Sequence, residues 1–78
     1  MEQKVYINGN TVKYDDQQNN ISYGIQYLQY DLKPDESNVF FSQAKTLGSA
    51  PFEDDNENQF TLQYNSNEYS YTLIKRDY

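Results

Sequence analysis

Apolar and polar residues alternate most regularly near the end of the chain, in residues 59–75. A turn centred on Ser66 and Asn67 would bring the apolar residues into facing pairs: Tyr64 with Tyr69, Leu62 with Tyr71, and Phe60 with Leu73. The opposite face would then carry only threonine, glutamine and serine. The pattern predicts an antiparallel strand pair with one face on the core and the other in water.

A second alternating segment covers residues 3–14 around Asn8-Gly9. This dipeptide is the strongest short signal for a two-residue hairpin turn. Such a turn sets Val5 opposite Val12 and leaves Lys4 opposite Lys13 on the solvent side. A three-residue loop would mix the apolar and polar faces, so the two-residue register is preferred.

Helical spacing is found in the middle of the chain and predicts a helix over residues 36–47, ended by Gly48. Phe40, Ala44 and Leu47 would form its buried stripe. Phe41 lies about 100° from Phe40 around the axis. Both phenylalanines are expected in the core if the sheet wraps the helix. The alternative leaves Phe41 exposed as an anchor for a partner or a homodimer.

Residues 20–32 fit two patterns. Isoleucines and tyrosines alternate with polar residues as in a strand, whereas Ile21, Ile25 and Leu28 also have helical spacing. Gly24 and the β-favouring tyrosines favour a strand, with a bulge at the phase slip near residues 27–28. Residues 50–53 are expected to form another short strand that carries an inward phenylalanine.

Together these segments predict a single small α+β domain over residues 1–78. Its sheet would be antiparallel, built from two meanders in the order β-β-β-α-β-β-β, with the one helix packed on it.

Composition limits the chemistry of this 78-residue chain, which has no cysteine, histidine or tryptophan. The usual general base, the common nucleophile–base pairs and thiolate or imidazole metal sites are therefore excluded. Carboxylates, hydroxyls and lysines remain. No cofactor and no metal is expected, and an enzymatic role is the least favoured class of function.

The formal net charge is −6, from 6 basic and 12 acidic residues. Direct nucleic-acid binding is not expected, because it relies on basic side chains that neutralise phosphates. No apolar run approaches the roughly 20 residues of a membrane helix. Without an apolar segment behind its first residues and without cysteine, the chain is expected to be cytoplasmic.

Acidic residues concentrate in predicted turns and loops, and these are candidates for partner binding: Asp15, Asp16, Glu53, Asp54, Asp55 and Glu57. Asp54 also begins a run with calcium-loop spacing. The required glycine and the closing glutamate of that motif are missing, so a solvated hairpin loop is the preferred interpretation.

The tyrosines, nine in all, divide into two groups. Tyr64, Tyr69 and Tyr71 are expected on the core face of the sheet. Tyr6 and Tyr30 fall out of phase with the core pattern, and Tyr78 is not expected in the core. Exposed tyrosines beside amides and acids suit a protein-binding surface, since tyrosine anchors interfaces at low entropic cost.

The favoured hypothesis is a small acidic, non-enzymatic protein-interaction module with a protein partner and homodimerisation as a further option. Its amide- and tyrosine-rich composition resembles the small accessory or regulatory proteins of low-GC bacteria and their phages in style. The alternative is an acidic inhibitor that mimics nucleic acid and occupies the basic groove of a DNA- or RNA-handling protein. A sugar-binding module ranks below both, because the chain lacks tryptophan.

Overall fold

A computed structural model describes residues 1–18 and 20–76 and confirms the α+β class. Tyr78 lies outside the described residues. The described strands and helices run in the order β1 Glu2–Ile7, β2 Asn10–Asp15, α1 Ile21–Gln26, a π-helical turn Tyr27–Asp31, α2 Pro34–Leu47, β3 Ser49–Glu53, β4 Gln59–Asn65 and β5 Ser70–Arg76.

The N-terminal hairpin has the predicted register. Val5 faces Val12 and Lys4 faces Lys13. Both turn residues have left-handed backbone angles, with φ of 53° at Asn8 and 81° at Gly9. Two consecutive positive φ values define the type I′ turn, whose twist matches that of the strands it joins. The local turn signal therefore set the register of β1 and β2.

The C-terminal hairpin is shifted by two residues from the predicted pairing. Tyr64 faces Tyr71 and Leu62 faces Leu73. The loop between β4 and β5 takes in residues 66–69 rather than a two-residue turn. A register shift of two residues leaves every side chain on the same face of the sheet. The residues predicted on the apolar face of the strands were therefore correct, although the predicted facing pairs were wrong. Tyr69 falls in the loop and is 82% exposed, which corrects its expected place in the core.

The sheet has five strands in the order β1-β2-β5-β4-β3, and β2 runs parallel to β5. The prediction of a wholly antiparallel sheet was wrong at this pair. Parallel neighbours cannot be joined by a tight turn, and their connection must cross over a face of the sheet. Here the crossover contains both helices and the first two strands of the C-terminal meander, β3 and β4, so the N-terminal hairpin and this meander form one mixed sheet.

The segment 20–32 is helical, which corrects the preferred strand interpretation. Ile21, Ile25 and Leu28 are all buried on one side, as their helical spacing allows. The phase slip at residues 27–28 is real, but it marks a π-helical turn and not a β-bulge. In that turn the Leu32 amide donates to the Tyr27 carbonyl at 3.0 Å, five residues back, and the added residue shifts the helix phase.

Helix α2 begins at Pro34, two residues before the predicted start, and ends before Gly48 at φ 94°. Its buried residues are Ser37, Phe41 and Ala44. Of the expected stripe, Ala44 is buried, Phe40 is half-buried and Leu47 is exposed. The Phe41 ring is 3% exposed and contacts Tyr71 edge-on at 4.9 Å. The alternative with an exposed Phe41 is therefore wrong, because α2 is rotated to place this ring against β5.

All the helices pack against the same face of the sheet. Phe40 lies on Phe52 with ring centroids 5.3 Å apart, and Phe52 stacks on Phe60 at 5.3 Å. Phe60 and Leu62 are fully buried, and each such burial stabilises the fold by about 1.5–3 kcal/mol. The core is thus a single layer between the sheet and the helices.

Gly24 of α1 makes the closest approach between helix and sheet. A Cβ atom at this position would lie 2.8 Å from Phe60 Cε1 and 3.0 Å from Leu73 Cδ2. The absence of a side chain is what lets α1 lie directly on β4 and β5.

We expect Gly24→Ala to lower the free energy of unfolding. Overpacking costs about 1–3 kcal/mol, while the gain in helix propensity recovers about 1 kcal/mol at most. Urea unfolding followed by circular dichroism measures the difference. Ser22→Ala, at an exposed position of the same helix, is the control and should unfold like the wild type. A Gly24→Ala protein more stable than wild type would contradict this account of the packing.

Candidate functional site

The face of the sheet opposite the helices is open. Its residues point away from the buried layer and are half-buried or exposed, except for the buried Ser70. Strand pairing aligns them in rows across the sheet, and the central row is Lys4, Lys13, Thr72, Gln63 and Ser49. No helix of the described residues covers this face. It offers a broad, mostly polar surface with tyrosine and lysine at the β1 side.

The β1 strand is one edge of the sheet. The Asp16 amide donates to the Met1 carbonyl at 3.1 Å, which fixes the odd-numbered residues of β1 as those bonded to β2. Main-chain groups alternate in direction along an antiparallel strand. The N–H and C=O groups of Glu2, Lys4 and Tyr6 therefore point away from the sheet, toward a side on which no described strand lies.

The β3 strand is the other edge. Hydrogen bonds of the Asp54 amide to the Asn58 carbonyl (3.1 Å) and of the Tyr64 amide to the Gly48 carbonyl (3.0 Å) fix its phase. The even-numbered residues bond to β4, so Pro51 lies at an outward position. Proline has no N–H group, and it is a common means of blunting an edge strand. Of the two edges, only β1 offers an uninterrupted row of main-chain donors and acceptors.

Tyr6 and Lys4 are neighbours on the open face of β1. Tyr6 is 70% exposed. Lys13, across from Lys4, forms an ion pair with Glu68 of the β4–β5 loop. The hydrogen bond between them raises the pKa of the Lys13 ammonium and lowers the pKa of the Glu68 carboxyl. The ion pair holds the loop over this end of the open face, whereas Lys4 forms no ion pair with another described residue.

The predicted acidic residues do not converge on one site. Asp15 and Asp16 both bind the Met1 amino group, at 3.1 and 2.9 Å. The amide of Gln17 also donates to Asp15. This hydrogen bond is the largest cause of the lowered pKa of the Asp15 carboxyl, and the bond from the Met1 amino group is the second. The strands that carry Asp15 and Glu53 are separated by two others, a distance of about 14 Å at the usual strand spacing.

Asp54 has a structural role in the β3–β4 loop. Its carboxylate is 7% exposed and accepts hydrogen bonds from the amides of Asn56 and Asn58, both at 2.9 Å, and from the Asn58 side chain at 3.0 Å. The Glu53 carboxylate binds the Gln59 amide group. Asp55 and Glu57 are exposed. A partner could therefore contact Asp55 and Glu57 but not the bonded face of Asp54.

The charges of acidic residues from three segments reach Tyr27. Burial raises the pKa of its phenol, and the negative charges of Asp55, Asp54, Glu36 and Asp31 raise it further. The sequence did not associate Asp31 and Glu36 with the loop. The helical spacing of Ile21, Ile25 and Leu28 was the sequence signal that could have placed Asp31 near α2.

The tyrosines are distributed partly as expected. Tyr30 and Tyr6 are exposed, at 74% and 70%. Tyr71 is buried and its hydroxyl donates to the Phe41 carbonyl at 3.4 Å, while Tyr64 is half-buried against it. Leu47 of α2, which was expected in the buried stripe, is instead 71% exposed. Val39 of α2 and Tyr23 of α1 are exposed apolar side chains that the sequence did not single out.

Residues 1–18 and 20–76 form no cavity, and they contain no group of three or more acidic side chains placed to hold a metal ion. No helix there combines the length and apolar character needed to cross a membrane.

Replacement of Asp54 by alanine should destabilise the fold by about 1.5–3 kcal/mol, since it removes a charged acceptor from three hydrogen-bond donors. Chemical unfolding monitored by tyrosine fluorescence measures the loss. Asp55→Ala is the matched control in the same loop and should unfold within about 0.5 kcal/mol of wild type. Equal effects of the two substitutions would contradict the structural role of Asp54.

Tyr27→Phe should change the alkaline limb of the stability profile. The folded state holds the Tyr27 proton more tightly than the unfolded state does. The protonated phenol therefore adds to the free energy of unfolding in full below about pH 10, and this stabilisation is lost as the pH rises above that value. The variant keeps the ring that stacks on Phe52 and should match wild type at neutral pH while losing less stability at alkaline pH. Urea midpoints measured between neutral and alkaline pH test this, and superimposable alkaline limbs would contradict it.

Comparison of the chain with protein-family models, with curated proteins and with solved structures gave no match. The open face and its β1 edge are therefore the features that indicate a function.

Proposed function

We propose that the chain is a small acidic, non-enzymatic cytosolic module that binds a protein partner through the β1 side of its open sheet face. The observation that carries this proposal is the position of Tyr6. Its side chain is 70% exposed, and it lies on β1, whose outward main-chain groups face no other strand of the described residues.

Two features of this surface support protein binding. An extended segment of a partner can add to a free sheet edge, where main-chain hydrogen bonds supply affinity and alternate side chains supply specificity. Tyrosine contributes a large, rigid contact area with few rotatable bonds. Tyr6 and the free edge lie together, whereas the equally exposed Tyr30 lies in the π-helical turn on the helix side.

The cytosolic part of the proposal rests on composition, because a small domain without cysteine suits a reducing compartment. An accessory or regulatory role in a low-GC bacterium or its phage stays a prediction from composition.

The alternative, an acidic nucleic-acid mimic, has weaker support from the charges. Asp15 and Asp16 are engaged by the Met1 amino group, and Asp54 is turned into its own loop. The acids whose charges reach Tyr27 are the group that could still serve such a role. Docking at β1 depends on apolar contact and main-chain pairing, while mimicry depends on charge.

Affinity capture from the lysate of the native host separates these functions. Wild type, Tyr6→Ala and Tyr30→Ala proteins are immobilised and exposed to lysate at ionic strengths of about 0.1 M and about 1 M, between which the Debye length falls from about 10 to about 3 Å. We expect a partner that is retained at both ionic strengths, lost with Tyr6→Ala and kept with Tyr30→Ala.

Two results would contradict docking at β1. A partner retained by Tyr6→Ala but lost with Tyr30→Ala would move the binding surface to the helix side. A partner that is released at high ionic strength from all three proteins would favour the acidic mimic. Near-identical circular dichroism spectra of the three proteins are required, so that lost binding is not lost folding.

A further inference from the structure

The β1 edge restricts how a second strand can add to it. An added antiparallel strand must place side chains of the same face opposite one another. For two copies of β1 related by a twofold axis, the axis must therefore pass through a residue and not between residues. Within Glu2–Ile7, axes at Lys4 and at Val5 give the longest overlaps, with five residues of each strand paired.

Charge distinguishes these two registers. An axis at Lys4 sets the two Lys4 ammonium groups directly opposite, an arrangement that destabilises a strand pair. An axis at Val5 sets Val5 against its own copy and each Lys4 against Tyr6 of the other copy. Lysine beside an aromatic ring is a favourable pair, and the symmetry provides it twice. The Val5 register also brings the outward main-chain groups of Lys4 and Tyr6 into hydrogen-bonding pairs.

The β1 strand itself contributes nothing to the net charge of −6. Within β1, Glu2 and Lys4 cancel, and the nearby Asp15 and Asp16 bind the Met1 amino group. The acidic loop after β3 belongs to the opposite edge of the five-stranded sheet. That edge is about 19 Å away at the usual strand spacing, well beyond the Debye length of about 8 Å at physiological ionic strength.

We propose that the β1 edge is a homodimer interface, in which β1 pairs antiparallel with β1 of a second copy about a twofold axis at Val5. The two sheets then form one continuous sheet with both open faces on the same side. Lys4 and Tyr6 alternate along the seam on that side, and the two Val5 side chains meet on the helix side. The β3 edge, interrupted by Pro51, stays at the outer ends of the assembly.

Single cysteine variants test the register, because the chain has no cysteine of its own. In the Val5 register the two copies of residue 5 form a non-hydrogen-bonded pair with Cα atoms about 4.5 Å apart, which suits a disulfide. The two copies of residue 4 lie diagonally, about 7–8 Å apart, which does not. Under mild oxidation Val5→Cys should form a disulfide-linked dimer that reduction separates. Lys4→Cys and the β3-edge control Ser49→Cys should form little of such a dimer.

Analytical ultracentrifugation of cysteine-free proteins tests the edge itself. Wild type should dimerise with rising concentration. Lys4→Pro removes an outward N–H group without removing a bond to β2, and we expect it to raise the dimer dissociation constant about tenfold or more. Glu53→Pro makes the same change on the outward side of β3 and should leave dimerisation as in wild type.

The proposal is overturned if wild type stays monomeric at millimolar concentration and Val5→Cys cross-links no more than Ser49→Cys. Cross-linking of Lys4→Cys in preference to Val5→Cys would overturn the register. If Lys4→Pro fails to fold, the cysteine variants still decide the question. None of these measurements needs a partner protein, so they can fail while the capture experiment succeeds. A second copy and a partner segment would use the same β1 edge, so each would exclude the other there.

Discussion

The parallel pairing of β2 with β5 is the contact on which the rest of the structure depends. It joins the N-terminal hairpin to the C-terminal meander, and it requires a crossover between them. Because the helices of that crossover all pack on one face, the buried layer lies on one side of the sheet and the other side is open. The same pairing places β1 and β3 at the two edges, so the candidate surface is a consequence of this contact.

Local signals in the sequence were sufficient to predict those parts of the structure that depend on residues adjacent in the chain. Asn8-Gly9 set the first hairpin because the turn type needs two residues with positive φ. The second hairpin has a longer loop, so its faces were predictable but its pairs were not. Gly24 was taken as evidence for a strand, because its close contact with Phe60 is made with a distant part of the chain. The parallel pair left no local pattern.

The candidate site was predictable only in part for the same reason. The exposure of Tyr6 follows from its phase in β1, and the sequence identified it. The free edge beside it depends on strand order, which no local pattern specifies. Asp54 was grouped with the exposed acids because its sequence neighbours are acidic and polar, yet its carboxylate is used within its own loop. The sequence pattern thus indicated exposed side chains better than it indicated which polar side chains are free of hydrogen bonds within the protein.

Amide hydrogen exchange along β1, measured by NMR at several protein concentrations, tests the central claim that β1 is a free edge with which a second copy pairs. In dilute solution the amides of Lys4 and Tyr6 should exchange rapidly, while those of Val5 and Ile7, bonded to β2, are protected. As concentration rises, Lys4 and Tyr6 should become protected together. Fast exchange of Lys4 and Tyr6 at every concentration, or protection of both in dilute solution, would contradict the account.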